Sequence, residues 1–207
     1  MWYLKKVNQD ILDEYVGKLK NGLAKRIKNS NMLTEEQKNV FTDGRLEHLL
    51  KDEPMPLYDL HLEIMKELIL EYDDKEFEKL KIANHKKEDN RTDAENQLVE
   101  KYSLLKTLFA VFDYRNALSQ NKSRSYWLTK MKGQDVCTYC NRQYTFTVIK
   151  ETKDGKRENN ESRIARPALD HWFPESLYPI MSLSFYNLIP SCTICNSSAK
   201  GDALFKF

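Results

Sequence analysis

Two C-x-x-C pairs constrain this chain more than any other feature of its sequence. Cys137 and Cys140 form the first pair, Cys192 and Cys195 form the second, and 51 residues lie between Cys140 and Cys192. Each pair places two thiols on one tight turn, and two such turns supply the four corners of a tetrahedral zinc site. We therefore expect a structural Zn2+ that is bound by four thiolates and joins two distant segments of the chain.

Two other uses of the cysteines stay open. A C-x-x-C pair is also the redox motif of thioredoxin-like proteins, although no strand–helix–strand pattern surrounds either pair here. Four cysteines can also be buried as small apolar side chains. The presence of two pairs favours zinc over both alternatives. The start of the sequence, Met-Trp-Tyr-Leu-Lys-Lys, lacks the apolar stretch of a secretion signal, so we expect a cytoplasmic location, where thiols stay reduced and available to a metal.

The first 130 residues have the periodicity of amphipathic helices. Apolar residues recur there at three- and four-residue spacing, with few helix breakers. Two capping boxes, Thr34-Glu35-Glu36-Gln37 and Thr92-Asp93-Ala94-Glu95, predict the starts of two helices. The second box is expected to open the longest helix of a bundle. We assign residues 1–130 to a mainly helical region that docks a partner or mediates oligomerisation.

Residues 131–207 differ in character from the helical region. Residues 145–149 are rich in strand formers, Asp154-Gly155 suits a tight turn, and residues 163–169 offer a returning strand. Four of the six prolines also lie in this part of the chain. The sequence therefore predicts an α+β protein, in which an N-terminal helical bundle is followed by a smaller domain that zinc stabilises.

The composition argues against a membrane protein and gives little guidance on charged partners. The chain has 207 residues, of which 41% are hydrophobic and 31% charged, and no apolar run approaches the roughly 20 residues of a membrane span. We expect no membrane partner. The 33 basic and 31 acidic residues leave a net charge of only +2, so any attraction of nucleic acid has to come from a local patch.

A run of polar residues surrounds the second cysteine pair. Residues 166–201 read RPALDHWFPESLYPIMSLSFYNLIPSCTICNSSAKG. The elements of interest are, in order, Asp170-His171, Pro174, Asn187, Pro190 and Cys192-x-x-Cys195-Asn196. This combination resembles the zinc-bearing branch of the HNH nucleases, also called ββα-metal or His-Me finger nucleases. The resemblance covers about residues 135–201, roughly a third of the chain, and the combination of elements is far more specific than any one of them.

The resemblance implies a role for each polar residue of this motif. His171 would act as the general base, because a neutral imidazole accepts a proton near pH 7. Asp170 and Asn196 would hold one Mg2+ or Mn2+ through oxygen atoms, the ligands that such hard cations prefer. Asn196 stands where the family name has its last histidine, and an amide oxygen can bind Mg2+ directly. Asn187 would support the loop and the orientation of His171.

A structural role is the alternative to catalysis for His171. A histidine that is followed by two aromatic residues, as His171 is by Trp172 and Phe173, also fits a packed side chain of the core. The adjacent aspartate and the two asparagines favour the catalytic role. Lys200 and Arg166 are expected to contact phosphate groups of the substrate.

The resemblance also implies an activity and a partner. The chain would be a metal-dependent endonuclease that hydrolyses phosphodiester bonds, with DNA favoured over RNA, and that leaves a 5′-phosphate and a 3′-hydroxyl. The stretches CxYCNRxYT and LDHWFPESxYPIMSLSFYNLIPSCTICNSS further resemble small HNH proteins that are encoded beside ATPases in anti-phage systems of the Septu and retron-associated types. An ATPase partner is therefore expected. The alternative is a zinc-stabilised module that binds nucleic acid or protein without cleavage.

Overall fold

The computed structural model describes residues 6–149 and 163–200. Over these residues the protein has eight α-helices and two small antiparallel strand pairs, so the expected α+β class is confirmed. The helices are α1 (Gln9–Lys28), α2 (Glu35–Val40), α3 (Asp43–Lys51), α4 (Pro54–Leu68), α5 (Phe77–His85), α6 (Asp93–Lys101), α7 (Leu104–Phe112) and α8 (Lys122–Lys132). Within the described part of the chain, no helix has both the length and the apolar character to cross a membrane.

Both predicted capping boxes are confirmed. At the start of α2, the Thr34 hydroxyl accepts from the Gln37 N–H at 3.2 Å, and the Gln37 side chain accepts from the Thr34 N–H at 3.0 Å. Thr92 and Glu95 exchange the same two bonds at the start of α6. Each box satisfies two backbone donors that a helix otherwise leaves unpaired.

The expectation that the second box opens the longest helix is wrong. The chain leaves the α-helical conformation at Tyr102, where φ is -98° and ψ is 15°, and α7 begins two residues later. The buried Tyr102 hydroxyl accepts from the Asp73 N–H at 3.1 Å and lies 2.6 Å from Glu76 Oε2. These tertiary contacts interrupt a pattern that would otherwise continue as one helix. The longest described helix is α1, with 20 residues.

The strands lie in the C-terminal part of the chain. β1 (Val148–Ile149) pairs with β2 (Arg163–Ala165), and β3 (Ala168–His171) pairs with β4 (Leu188–Ser191). The two strands of the expected hairpin do pair, over fewer residues than expected, and its turn at Asp154-Gly155 lies outside the described residues. After β4 the chain forms a short helix of π type, Cys195–Lys200, which we call the C-terminal helix and which lies against β3.

One connected core joins the helices to the strands. The segment that links β3 to β4, residues 172–187, which we call the connecting loop, is buried throughout its second half. Tyr15 of α1 donates to the Leu183 carbonyl at 2.7 Å, and the Phe185 N–H donates to the Leu50 carbonyl of α3 at 2.8 Å. The helices therefore surround the connecting loop and hold it by its backbone.

Candidate functional site

The four cysteines form a compact cluster. The Sγ atoms of Cys137, Cys140, Cys192 and Cys195 all lie within 4.8 Å of one another, and none of the four forms a disulfide. Four sulfurs at about 2.3 Å from a tetrahedral zinc ion would be roughly 3.8 Å apart, so the cluster needs only a small contraction to reach that geometry. The cluster is compatible with a structural metal such as zinc.

Backbone N–H groups donate to sulfur atoms of the cluster. The Cys192 N–H donates to the Cys137 Sγ at 3.2 Å, which also ties the two cysteine turns to each other. The N–H groups of Arg142 and Gln143 lower the pKa of the Cys140 thiol to about 6. Burial raises the pKa of the Cys195 thiol, so zinc, which binds the thiolate and not the thiol, would displace the proton of that residue.

The first cysteine turn is fastened to the strand pair at two points. The Thr138 hydroxyl donates to the Pro190 carbonyl of β4 at 2.8 Å. The hydroxyl of the next residue, Tyr139, donates to Asp170 Oδ2 of β3 at 2.5 Å. Burial and the hydrogen bond to this carboxylate raise the pKa of Tyr139 above its usual range, so its hydroxyl stays protonated as a donor.

Asp170 and His171 are neighbours on β3, and both are buried. Successive side chains of a strand point to opposite faces, so the two groups serve different sides of the strand pair. Asp170 faces the first cysteine turn through its bond to Tyr139. His171 faces the helices and the connecting loop, where its partners Ser182 and Tyr114 lie.

The contacts of His171 define which ring nitrogen carries the proton. Its Nε2 lies 2.9 Å from the Ser182 carbonyl, which can only accept a hydrogen bond. Nε2 is therefore the protonated nitrogen, and in the neutral imidazole Nδ1 holds the lone pair. The Tyr114 ring stands edge-on at 4.4 Å, and Glu175 Oε2 lies 3.9 Å from Nε2. The Ser182 carbonyl and the Tyr114 ring thus fix the orientation of the imidazole.

Asn187 holds the connecting loop closed. Its Oδ1 accepts from the Phe173 N–H at 2.7 Å, and its Nδ2 donates to the carbonyls of Met181 at 2.9 Å and Phe173 at 3.2 Å. Met181 precedes Ser182, whose carbonyl accepts from His171. The buried amide therefore ties the end of the loop to its start and to the residue before Ser182. The supporting role of Asn187 in orienting His171 stays a prediction.

Asn196 lies in the C-terminal helix, directly after Cys195. Its N–H donates to the Cys192 carbonyl at 3.0 Å, and its helix lies against β3, which carries Asp170. A metal bound at the cysteines would therefore fix where Asn196 lies. Three or more His, Cys, Asp or Glu side chains that lie close enough together can hold a metal ion. Within residues 6–149 and 163–200, the four cysteines form such a group, and Asp170 belongs to none. Magnesium binding by Asp170 and Asn196 stays a prediction.

Arg166 and Lys200 are the two residues that are expected to contact phosphate, and the structure describes the side chain of Arg166 only. Arg166 is half-buried between β2 and β3, where its guanidinium donates to the carbonyls of Pro167 at 3.0 Å and Ser119 at 3.1 Å. It thereby ties the strands to the helical region. Lys200 ends the C-terminal helix, and its side chain lies outside the described residues. Phosphate binding by both residues stays a prediction.

The sequence did not predict three groups that contact Asp170 or His171, namely Tyr139, Tyr114 and Ser182. Tyr139 lies within a C-x-x-C pair and could have been considered for that reason, although nothing local identifies Asp170 as its partner. Tyr114 and Ser182 act through the packing of distant segments, for which the sequence offers no local signal.

Comparison with known proteins adds no family: no family model, no curated protein and no solved structure matches the chain. The site is therefore described by its own geometry. That geometry consists of a four-cysteine cluster compatible with zinc and, beside it, a strand–strand–helix unit that carries Asp170, His171 and Asn196.

Proposed function

We propose that the chain is a metal-dependent endonuclease of the HNH type, which hydrolyses phosphodiester bonds with His171 as general base. One observation carries the proposal. Asp170 and His171 lie side by side on the first strand of an antiparallel pair, and the helix that follows the second strand carries Asn196 and lies against the first. This strand–strand–helix order is the arrangement that the resemblance implies.

His171 has the features that a general base needs. With the proton on Nε2, the lone pair of the neutral imidazole is on Nδ1, and a neutral histidine is an effective proton acceptor near pH 7. Nδ1 would take a proton from water as the water oxygen attacks phosphorus. The bond between phosphorus and the 3′ oxygen then breaks, and the leaving oxygen takes a proton from solvent. Glu175 and the Ser182 carbonyl would stabilise the imidazolium that forms.

Asp170 and Asn196 would hold the cation of the reaction. A carboxylate offers about four lone-pair sites, enough for both a hydroxyl donor such as Tyr139 and a metal ion. Carboxylate and amide oxygens suit Mg2+ or Mn2+ and not zinc, whereas the four thiols suit zinc. When bound, such a cation supplies charge stabilisation at the phosphate oxygens. The two sites thus differ in chemistry. The cysteine cluster would be the scaffold that positions the Mg2+ site.

Partnership with an ATPase in anti-phage defence is a further proposal, and it is supported by the resemblance alone. The helical region would then dock on the ATPase while its inner side supports the connecting loop. Co-purification of the chain with an ATPase encoded beside it, followed by measurement of the mass of the complex, tests this point. A monomer that binds no ATPase and is fully active by itself would count against it.

The experiment that tests the activity is digestion of plasmid DNA, transfer RNA and total RNA side by side, with and without Mg2+. We expect Mg2+-dependent cleavage, with DNA as the preferred substrate, and loss of cleavage in His171→Ala. His85→Ala, at an exposed histidine of α5, is the matched control and should cut like the wild type. Equal cleavage by His171→Ala would refute the mechanism. Binding without cleavage by the wild type would favour the non-cleaving module.

A further inference from the structure

An exposed pair of stacked aromatic rings lies beside the first cysteine turn. The ring centroids of Tyr144 and Phe146 are 5.1 Å apart, and the ring planes differ by 12°. The residues are 75% and 49% exposed. Thr145 between them is buried, and its hydroxyl donates to the Gln134 carbonyl at 2.8 Å. Anchoring of Thr145 therefore turns both rings outward, where they gain little from burial.

The aromatic pair forms one wall of an open groove of about 360 Å³. The other walls come from the link between β2 and β3, the end of β4 and the turn of the second cysteine pair. Ile194, which is largely exposed, stands on the wall formed by that turn. Among the residues that the structure describes, the lining includes the cation Arg166 and no acidic side chain. The groove thus combines aromatic rings with polar side chains, and Arg166 places one cation at its wall.

The groove leads toward the candidate active site. Ala168 of β3 lines it, and Asp170 lies two residues further along the same strand. Side chains two residues apart on a strand share a face, so the groove runs along the face of β3 that carries Asp170. A chain lying in the groove would therefore continue toward the proposed Mg2+ site.

We propose that Tyr144 and Phe146 stack on unpaired bases of the nucleic-acid substrate and hold a single-stranded stretch in this groove. The inference rests on the proposed function and names the substrate form of the same site. Every base has a flat π-face, so outward aromatic rings bind single strands with little dependence on sequence. A volume of about 360 Å³ falls within the range of small ligand sites, enough for about one nucleotide. A closed duplex hides the faces of its bases and would not use these rings.

The proposal is tested by measuring the binding of a short fluorescent oligothymidylate. No Mg2+ is added, so that the strand is not cleaved, and no chelator is added, so that zinc stays bound. We expect the single strand to bind more tightly than a duplex of equal length. Tyr144→Ala/Phe146→Ala should lose about tenfold or more in affinity for the single strand. Phe146→Trp keeps a stacking face and should keep the affinity. Phe109→Ala on α7, at a phenylalanine that is 46% exposed, is the matched control and should bind like the wild type.

The result that overturns the inference is unchanged single-strand affinity in Tyr144→Ala/Phe146→Ala with its zinc content intact. Loss of ATPase binding with unchanged oligonucleotide affinity would also overturn it, because the groove would then be a protein surface. Failure of the inference can be told from failure of the proposed function. Wild-type cleavage together with unchanged affinity of the double variant removes only the inference. Stacking-dependent binding without any Mg2+-dependent cleavage removes only the nuclease.

Discussion

The Tyr139 hydroxyl donates to Asp170 Oδ2 at 2.5 Å and so joins the cysteine cluster to the polar pair on β3. Tyr139 lies between Cys137 and Cys140, so a metal ion at the cysteines would fix the tyrosine as well. Asp170 is only 5% exposed, and few solvent contacts compete with this bond. The position of the carboxylate therefore depends on the cysteine turn, although 31 residues separate the two in the sequence.

The first prediction concerns Tyr139→Phe. Removal of the hydroxyl leaves the ring in place but takes from Asp170 Oδ2 a hydrogen bond that orients it, so binding of Mg2+ should weaken. Loss of a group that orients a metal ligand typically costs ten- to a hundredfold in metal affinity. We expect the Mg2+ concentration for half-maximal cleavage to rise by about tenfold, with zinc content unchanged. An unchanged Mg2+ titration would show that the bond has no positioning role.

Tyr144→Phe is the matched control for this substitution. It removes a hydroxyl from an exposed tyrosine of the same segment and keeps the ring that stacks on Phe146. Its Mg2+ dependence should equal that of the wild type. A shift of equal size in both variants would indicate a general effect on the segment.

The second prediction concerns the metal content of the cysteine cluster. We expect the purified protein to carry one zinc ion per chain, and Cys192→Ser/Cys195→Ser to carry none. Because the cluster joins two distant segments, its loss should lower the free energy of unfolding by several kcal/mol. Elemental analysis and thermal unfolding measure both quantities. Thr193→Ala, at an exposed residue of the same turn, should retain zinc; full zinc content in the double cysteine variant would refute the site.

The third prediction separates the two asparagines of the motif. Asn187→Ala removes three buried hydrogen bonds and leaves the Phe173 N–H and the Met181 carbonyl without this partner. We expect the free energy of unfolding to fall by about 3 kcal/mol, as measured by urea denaturation. Asn196→Ala should change stability by less than about 1 kcal/mol, since this residue is only half-buried, and should abolish cleavage. Equal destabilisation by both substitutions would contradict the division of roles.

Local sequence signals were sufficient to predict those features in which the interacting residues lie only a few positions apart in the chain. The capping bonds of Thr34 and Thr92 each span three residues, and the spacing within each C-x-x-C pair determines the shape of its turn. The cysteine cluster could be predicted because thiols in two such turns have few other uses. These features need no knowledge of the tertiary fold.

Contacts between distant segments could not be predicted in the same way. The connecting loop is held by Tyr15 and Leu50, which lie far from it in the sequence, and its composition alone gives no sign of either contact. The interruption of the helix at Tyr102 has the same origin, since its cause is a bond to Asp73 and not a breaker residue. The helical region was expected to dock a partner, and nothing in the sequence indicated that Tyr114 of this region would contact His171.

The last prediction concerns Lys132, at the end of α8. Its Nζ is buried, donates to the Phe185 carbonyl at 2.6 Å and lies 3.9 Å from the centre of the Phe185 ring. Burial lowers the pKa of this amine to about 7, against about 10.4 for a solvated lysine. The cost of burying the cation therefore outweighs the favourable ring and carbonyl contacts.

This shift predicts how stability depends on pH. Below about pH 7 the amine is charged in both states, and the folded protein bears the full cost of burial. Between about pH 7 and 10 the unfolded chain binds one more proton, so stability should rise by up to about 1.4 kcal/mol per pH unit. Urea denaturation near pH 7 and near pH 9 should show this rise in the wild type relative to Lys132→Met. Lys130→Met, at an exposed lysine of the same helix, should follow the wild type; a constant difference between wild type and Lys132→Met would show that the buried amine keeps its proton throughout.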